Sequence, residues 1–268
     1  MKNLKNRCIS FVLAIVMLVS TNIEYVFAEE NQTITVDGYT FQVLNNSFES
    51  AEIKYDDGNE TYIFTLNRMN MADEATIEIS KENPLEKSVI PFSYTVEFDE
   101  DVEYTTETED FSSVVLVDEN TGYKYSFNEN AKVAWAVPIG IGLTSAAIEA
   151  LLAIGSAIII GGVACVVAEE VAQEIKKQKE YRYYEAFLRN NSVYVGSAIQ
   201  LSRTARELAQ CDNEKGTVMA TSFAYAKGIT GGSNTSSENH GSTSGYWEHI
   251  HALKSSGERY KAHIWFLN

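Results

Sequence analysis

The chain has 268 residues, 45% of them hydrophobic, and a formal net charge of −16. With three cysteines and no Cys-x-x-Cys spacing, it excludes a disulfide framework and a cysteine-based zinc site. Residues 29–130 hold 24 acidic against 5 basic side chains, whereas residues 169–268 hold 11 against 12, so the front half is unsuited to nucleic acid and the rear half is not.

The N-terminus reads as a secretory signal peptide, residues 1–28. Lys2, Lys5 and Arg7 form its basic region, Ile9 to Val19 its apolar stretch, and Val26-Phe27-Ala28 a small-residue cleavage site that leaves Glu29 as the mature start. Cys8 lies at the front of the apolar stretch, not behind it, which argues against a lipoprotein anchor. Export places the protein in the medium or the cell envelope.

Residues 29–130 read as an acidic, antiparallel all-β domain. Short β-prone runs at Thr33–Val36, Tyr39–Leu44, Ala51–Tyr55, Glu60–Leu66, Ala75–Ser80, Phe92–Phe98, Ser112–Val117 and Tyr123–Phe127 are separated by turn signals such as Asp37-Gly38 and Asn120-Thr121-Gly122. Its carboxylates lack calcium-loop spacing and read as a solvated face.

From residue 133 to 168 the chain is largely apolar and Glu149 is its only charge. The last 18 of them, Leu151–Ala168, reach the threshold length of a membrane helix. Ala153, Ala157, Gly161 and Cys165 would form a small-residue stripe on it, suited to helix–helix self-association in lipid. A buried core helix and a bilayer-inserting hairpin are the other solutions. Residues 169–190 continue as a charged helical linker, where Lys176, Lys177, Lys179 and Arg182 would favour the cytoplasmic side of a membrane.

The C-terminal domain, residues 191–268, reads as small and α+β. It has a strand at Ser192–Ile199, a helix at Arg203–Gln210 capped by Ser202, a second helix near Met219–Ile229, and a Gly/Ser/Thr/Asn loop from Gly231 to Gly245 that acts as a mobile linker or lid. Two strands, Tyr246–Leu253 and Lys261–Leu267, close it as a β-hairpin. The whole chain is therefore expected to be α+β and multi-part: an N-terminal β-domain, an apolar helix read as transmembrane, and a C-terminal α+β domain ending in a hairpin.

All four histidines, His240, His249, His251 and His263, lie in the last 29 residues. Alternate side chains of a strand share a face, so His249 and His251 point with Trp247, and His263 points with Trp265. A register that pairs His251 with His263 and His249 with Trp265 gathers three imidazoles on one face, as does a two-residue slip. A one-residue slip would scatter them.

Three readings of this cluster are open. His251 and His263 can act as general base and general acid in metal-free RNA cleavage, assisted by His249 and His240. Lys261, Arg259 and Lys254 would then hold phosphate, and Thr243, Trp247 and Trp265 would complete the substrate site. Alternatively His249, His251 and His263 bind zinc with an open fourth position. Third, they are edge-of-core residues of an aromatic hairpin. No Gly-x-Ser-x-Gly elbow supports a nucleophilic triad.

The segment Asn239-His240-Gly241-Ser242-Thr243-Ser244-Gly245-Tyr246-Trp247-Glu248-His249-Ile250-His251, followed by Ala262-His263-Ile264-Trp265-Phe266, resembles a family of secreted toxin-like proteins of Gram-positive bacteria. Their tails look like the C-terminal effector modules of bacterial polymorphic toxins. The resemblance is specific over residues 181–268, and the order of parts agrees along the chain. Where that family often has proline after the second histidine, this chain has Ala252. The resemblance raises the reading of a secreted or membrane-tethered toxin without fixing its reaction. RNA as the partner attacked comes from the acid/base reading of the histidines, and a cognate immunity protein goes with the toxin reading. The competing expectation is a non-enzymatic envelope protein with a metal-binding or interaction tail.

Overall fold

The structure is a computed structural model that describes residues 32–47, 49–68, 75–82, 93–127, 139–212, 217–239 and 247–268. The signal-peptide segment, His240 and Thr243 lie outside them.

Eight strands run in sequence order as one antiparallel meander: β1 (Thr33–Val36), β2 (Tyr39–Asn46), β3 (Ser50–Asp56), β4 (Thr61–Asn67), β5 (Thr76–Glu82), β6 (Ser93–Glu97), β7 (Val115–Asp118) and β8 (Lys124–Ser126). Alternation sets the sheet's two faces. Phe41, Val43, Ile53, Phe64, Leu66, Ile77, Ile79, Val96 and Leu116 are buried on one side, while Glu52, Lys54, Thr65 and Glu78 line the other. The β1–β2 turn uses Asp37 and Gly38 at φ 49° and 87°, the left-handed pair that a tight hairpin requires.

The apolar segment does not form a membrane helix. Among the described residues no helix is long and apolar enough to cross a bilayer. Helix α1 (Ile141–Ile154) packs on the buried face of the meander and also touches β9 (Ala157–Ile160), so it is covered on several sides. That wide burial is why most of its surface is apolar, while Gly142, Ser145, Glu149 and Ala153 form the one stripe that reaches toward solvent. The chain then leaves the helix at Gly155. Ser156 adopts φ 43°, and a hairpin of β9 and β10 (Val163–Val167) follows, turning through Gly161 and Gly162 at φ 59° and 74°. Ala153, Ala157, Gly161 and Cys165 thus sit on a helix end, a strand, a turn and a second strand. The helical stripe and the self-association built on it are corrected accordingly.

The predicted linker also departs from its reading. Helix α2 (Ala168–Lys177) ends at Gln178, and β11 (Tyr183–Arg189) enters the middle of a second sheet. Its seven strands lie in the order β14 (His249–Ile250), β15 (Ile264–Phe266), β13 (Thr217–Ala220), β11, β12 (Ser192–Ile199), β10 and β9. The β13–β15 pair is parallel and the others antiparallel. This sheet therefore begins at Ala157, well before residue 191. Met219 and Ala220 belong to β13, not to a helix. The helix that follows, α4 (Phe223–Gly228), is capped by Ser222, whose hydroxyl accepts from the Tyr225 N–H. In α3 (Ser202–Ala209) Ser202 is already helical, and Leu201 occupies the cap without a side-chain bond.

The second sheet buries both faces. Ala205 and Ala209 of α3 and Ala226 of α4 pack with Val218, Ile250, Ile264 and Phe266 on one side. Tyr184, Ala186, Val193, Met219, Trp265 and Leu267 join the core shared with α1, α2 and the meander on the other. The lobes are also joined by polar contacts. Tyr104 and Ile159 exchange N–H···O bonds of 2.9 Å along the β9 edge, and Asn46 Nδ2 donates to the Ile154 carbonyl at 2.7 Å. Arg189 pairs with Glu103 at 2.9 Å. The buried Arg68 donates to the Ser47 carbonyl and to Asn46 Oδ1 at 2.7 and 2.6 Å.

Candidate functional site

The C-terminal strands build the site through parity. In the β14–β15 pair His249 lies opposite Trp265 and Ile250 opposite Ile264. Ile250, Ile264 and Phe266 face the core under α3 and α4, which sends His249, His251, His263 and Trp265 to the other side. The strands are shorter than their sequence spans, because Tyr260 and Ala262 turn toward His251 rather than extending the ladder.

Three imidazoles meet there. Ring centroids are 5.2 Å apart for His249 and His251, 4.8 Å for His249 and His263, and 4.7 Å for His251 and His263. The nitrogens they offer to a ligand all lie within 4.8 Å of one another. His249 and His251 are buried, and His263 is partly exposed. The indole of Trp265 forms the floor. It is fully buried, stacks on His263 at 5.0 Å and 13°, and lies 4.7 Å from His249. That depth makes Trp265 a support for the rings, not a surface for a large substrate.

Backbone carbonyls set the tautomers. His251 Nδ1 lies 3.0 Å from the Tyr260 oxygen and 2.9 Å from the Ala262 oxygen, so Nδ1–H donates and the lone pair resides on Nε2. That Nε2 is buried with no hydrogen-bond partner. His249 Nδ1 lies 3.3 Å from the Trp247 carbonyl and is oriented in the same sense. Burial, and secondarily the Arg259 charge, push the His251 pKa down, so this ring is neutral near physiological pH.

The described part of the 231–245 loop is structured. Thr235 and Glu238 lie along the open edge of β14, with Thr235 N–H donating to the His251 carbonyl at 2.9 Å, and Glu238 and His249 exchanging backbone bonds of 2.9 and 3.0 Å. Thr235 Oγ1 also accepts from the His251 N–H at 3.0 Å. Trp247 donates through its indole to Glu169 Oε1 at 3.0 Å, tying the hairpin to α2. None of Thr235, Glu238 and Glu169 was singled out by the sequence. These contacts join residues far apart in the chain, and no spacing rule signals them.

The expected phosphate-binding cations are placed unevenly. Lys254 pairs with Asp212 at 2.7 Å, which raises its pKa, and its ammonium lies 5.2 Å from the Tyr260 ring. Arg259 pairs with Glu238 at 3.3 Å. Lys261 is exposed. The free cysteines take no part. Cys165 is buried in β10, where burial pushes its thiol far up, and Cys211 Sγ donates to the Glu207 carbonyl.

Compared with protein-family models, with curated proteins and with solved structures, the chain matches none.

Proposed function

We propose that the protein is an exported, toxin-like effector whose C-terminal lobe cleaves phosphodiester bonds in RNA at a centre formed by His249, His251 and His263. One observation carries the reading: three of the chain's four histidines converge on one sheet face, with one ring partly open to solvent. Export rests on the residue 1–28 pattern, and the effector reading on the tail motif. A cognate immunity protein belongs to the same reading.

The chemistry follows from the tautomers. An imidazole fixed through Nδ1 presents its Nε2 lone pair and can accept a proton or a metal. His251 in this state is no donor of a proton. The expectation that His251 and His263 divide base and acid between them therefore leaves the acid role to His263 alone. Lys261 is an exposed cation available to phosphate. Arg259 and Lys254 serve only after releasing Glu238 and Asp212.

Those two ion pairs favour a second reading, a non-enzymatic tail that binds metal or a partner. Expression of the chain without residues 1–28 in a bacterial cytoplasm separates the two. The first reading expects growth arrest with RNA loss, relieved by His263→Ala. It also expects purified His251→Ala or His263→Ala protein to cleave RNA at least about 100-fold more slowly, the usual scale of a lost acid–base group. Intact RNA in the presence of folded wild-type protein would select the second.

A further inference from the structure

A cluster of three imidazoles asks what sits between them. Each ring offers one nitrogen to a common centre, and among the described residues no carboxylate or thiol belongs to the group. His249 and His251 are buried, and the buried Nε2 of His251 has no hydrogen-bond partner. A cation that accepts nitrogen lone pairs satisfies the arrangement without protonating any ring.

We propose that His249, His251 and His263 form a three-nitrogen centre for a divalent transition ion of the zinc type, with a fourth position open beside the partly exposed His263. This rests on the reading that the trio is the reactive centre, and it replaces proton exchange between histidines as the source of reactivity.

The donor set points to that class of ion. Imidazole suits zinc, copper, iron and nickel, whereas calcium and magnesium take oxygen ligands. Three protein nitrogens plus an open position is the pattern of catalytic, not structural, zinc. The surroundings match as well. Metal-bound histidines almost always commit their other nitrogen to a carbonyl or carboxylate, and His251 does so twice and His249 once. Trp265 holds the third ring by stacking. Thr235, bonded to the His251 backbone in both directions, fixes the strand that carries it.

The distances allow it. Tetrahedral nitrogens at about 2.1 Å from zinc stand about 3.4 Å apart. The three nitrogens lie within 4.8 Å of one another, so binding requires the widest pair to close by at most about 1.4 Å through rotation of the imidazole rings. A bound ion of this class supplies a Lewis acid and lowers the pKa of water.

Equilibrium titration tests the proposal. The purified full chain, stripped with a chelator and dialysed, is titrated with Co²⁺ and then with Zn²⁺, following visible absorption and the thermal midpoint. One equivalent of Co²⁺ should bind with a tetrahedral spectrum, Zn²⁺ should displace it, and the midpoint should rise on loading. His251→Ala and His263→Gln should each weaken binding about 100-fold or more, since even loss of an outer hydrogen bond costs 10–100-fold. Lys124→Ala, on the distant meander, should bind as wild type. His263→Gln keeps the test informative if His251→Ala fails to fold, because His263 is the partly exposed member.

Absence of stoichiometric binding, or affinity unchanged in both histidine variants, overturns the centre. Metal binding without RNA cleavage upholds the centre and sinks the nuclease reading. RNA cleavage that survives chelation in a protein that binds no metal does the reverse.

Discussion

His251 owes its state to two backbone carbonyls and to burial, and Glu149 owes its own to burial and a neighbouring charge. Half-buried on α1, Glu149 has its pKa raised from 4.5 to about 7, first by desolvation and then by Asp37. The folded protein therefore keeps a proton that the unfolded chain releases between these values. This group's contribution is most favourable at and below about pH 4.5 and is lost as pH rises through about 7. Glu149→Gln should be more stable than wild type at pH 8 by about 1–2 kcal/mol, a figure reduced for solvent screening of a half-buried group, and the gap should narrow toward pH 5. Urea unfolding at the two pH values measures it; an equal gap at both would contradict the assignment. Among the site residues, the convergence of His249, His251 and His263 is legible in the sequence, because a period of two fixes which side chains share a face. The carbonyls of Tyr260 and Ala262 that orient His251 are not, because they depend on how a loop bends. Trp265 was read as a substrate contact, and its depth could not be seen from an aromatic residue in an alternating strand.

At the scale of elements, the strands of the meander stand within a few residues of their sequence reading, because alternation and turn residues agree there. The apolar segment shows why such agreement matters. A helix largely covered by protein and a helix wrapped by lipid both need a predominantly apolar surface, so hydropathy alone cannot separate α1 from a membrane span. The decisive local signal is Gly161-Gly162 between two β-branched runs, Ala157–Ile160 and Val163–Val167, which marks a tight hairpin. Leu152 of α1 is fully buried against the shared core. Leu152→Ala should destabilise the protein by about 2–5 kcal/mol in denaturant unfolding, the cost of an unfilled cavity. A change below about 0.5 kcal/mol, the scale of surface substitutions, would contradict the packing. Helix boundaries in the C-terminal half were blurred by alanine. Met219 and Ala220 carry helical propensity, yet pairing with β11 and β15 makes them a central strand.

The molecule as a whole is not the train of modules that charge asymmetry suggests. The −19 meander and the near-neutral second sheet share one core, with α1 between them. Arg68 ties the seam, buried and donating to Asn46 and Ser47 while feeling the charge of Glu170. Charge segregates because the solvent faces differ, and surface charge carries no information about a common interior. A fragment of residues 169–268 lacks β9 and β10 and uncovers the inner face of its sheet, including Trp265 and Leu267. It should aggregate or show unfolded circular dichroism, while residues 32–268 give a cooperative transition. A soluble, folded fragment would contradict the shared core.

The account turns on three imidazoles acting as one centre. X-ray absorption at the zinc edge of the zinc-loaded full chain reads that directly. The expected result is a four-coordinate shell of three imidazole nitrogens and one light atom at about 2.0 Å, losing one imidazole in His263→Gln. A shell of carboxylate oxygens or sulfur, or one that His263→Gln leaves unchanged, would contradict it.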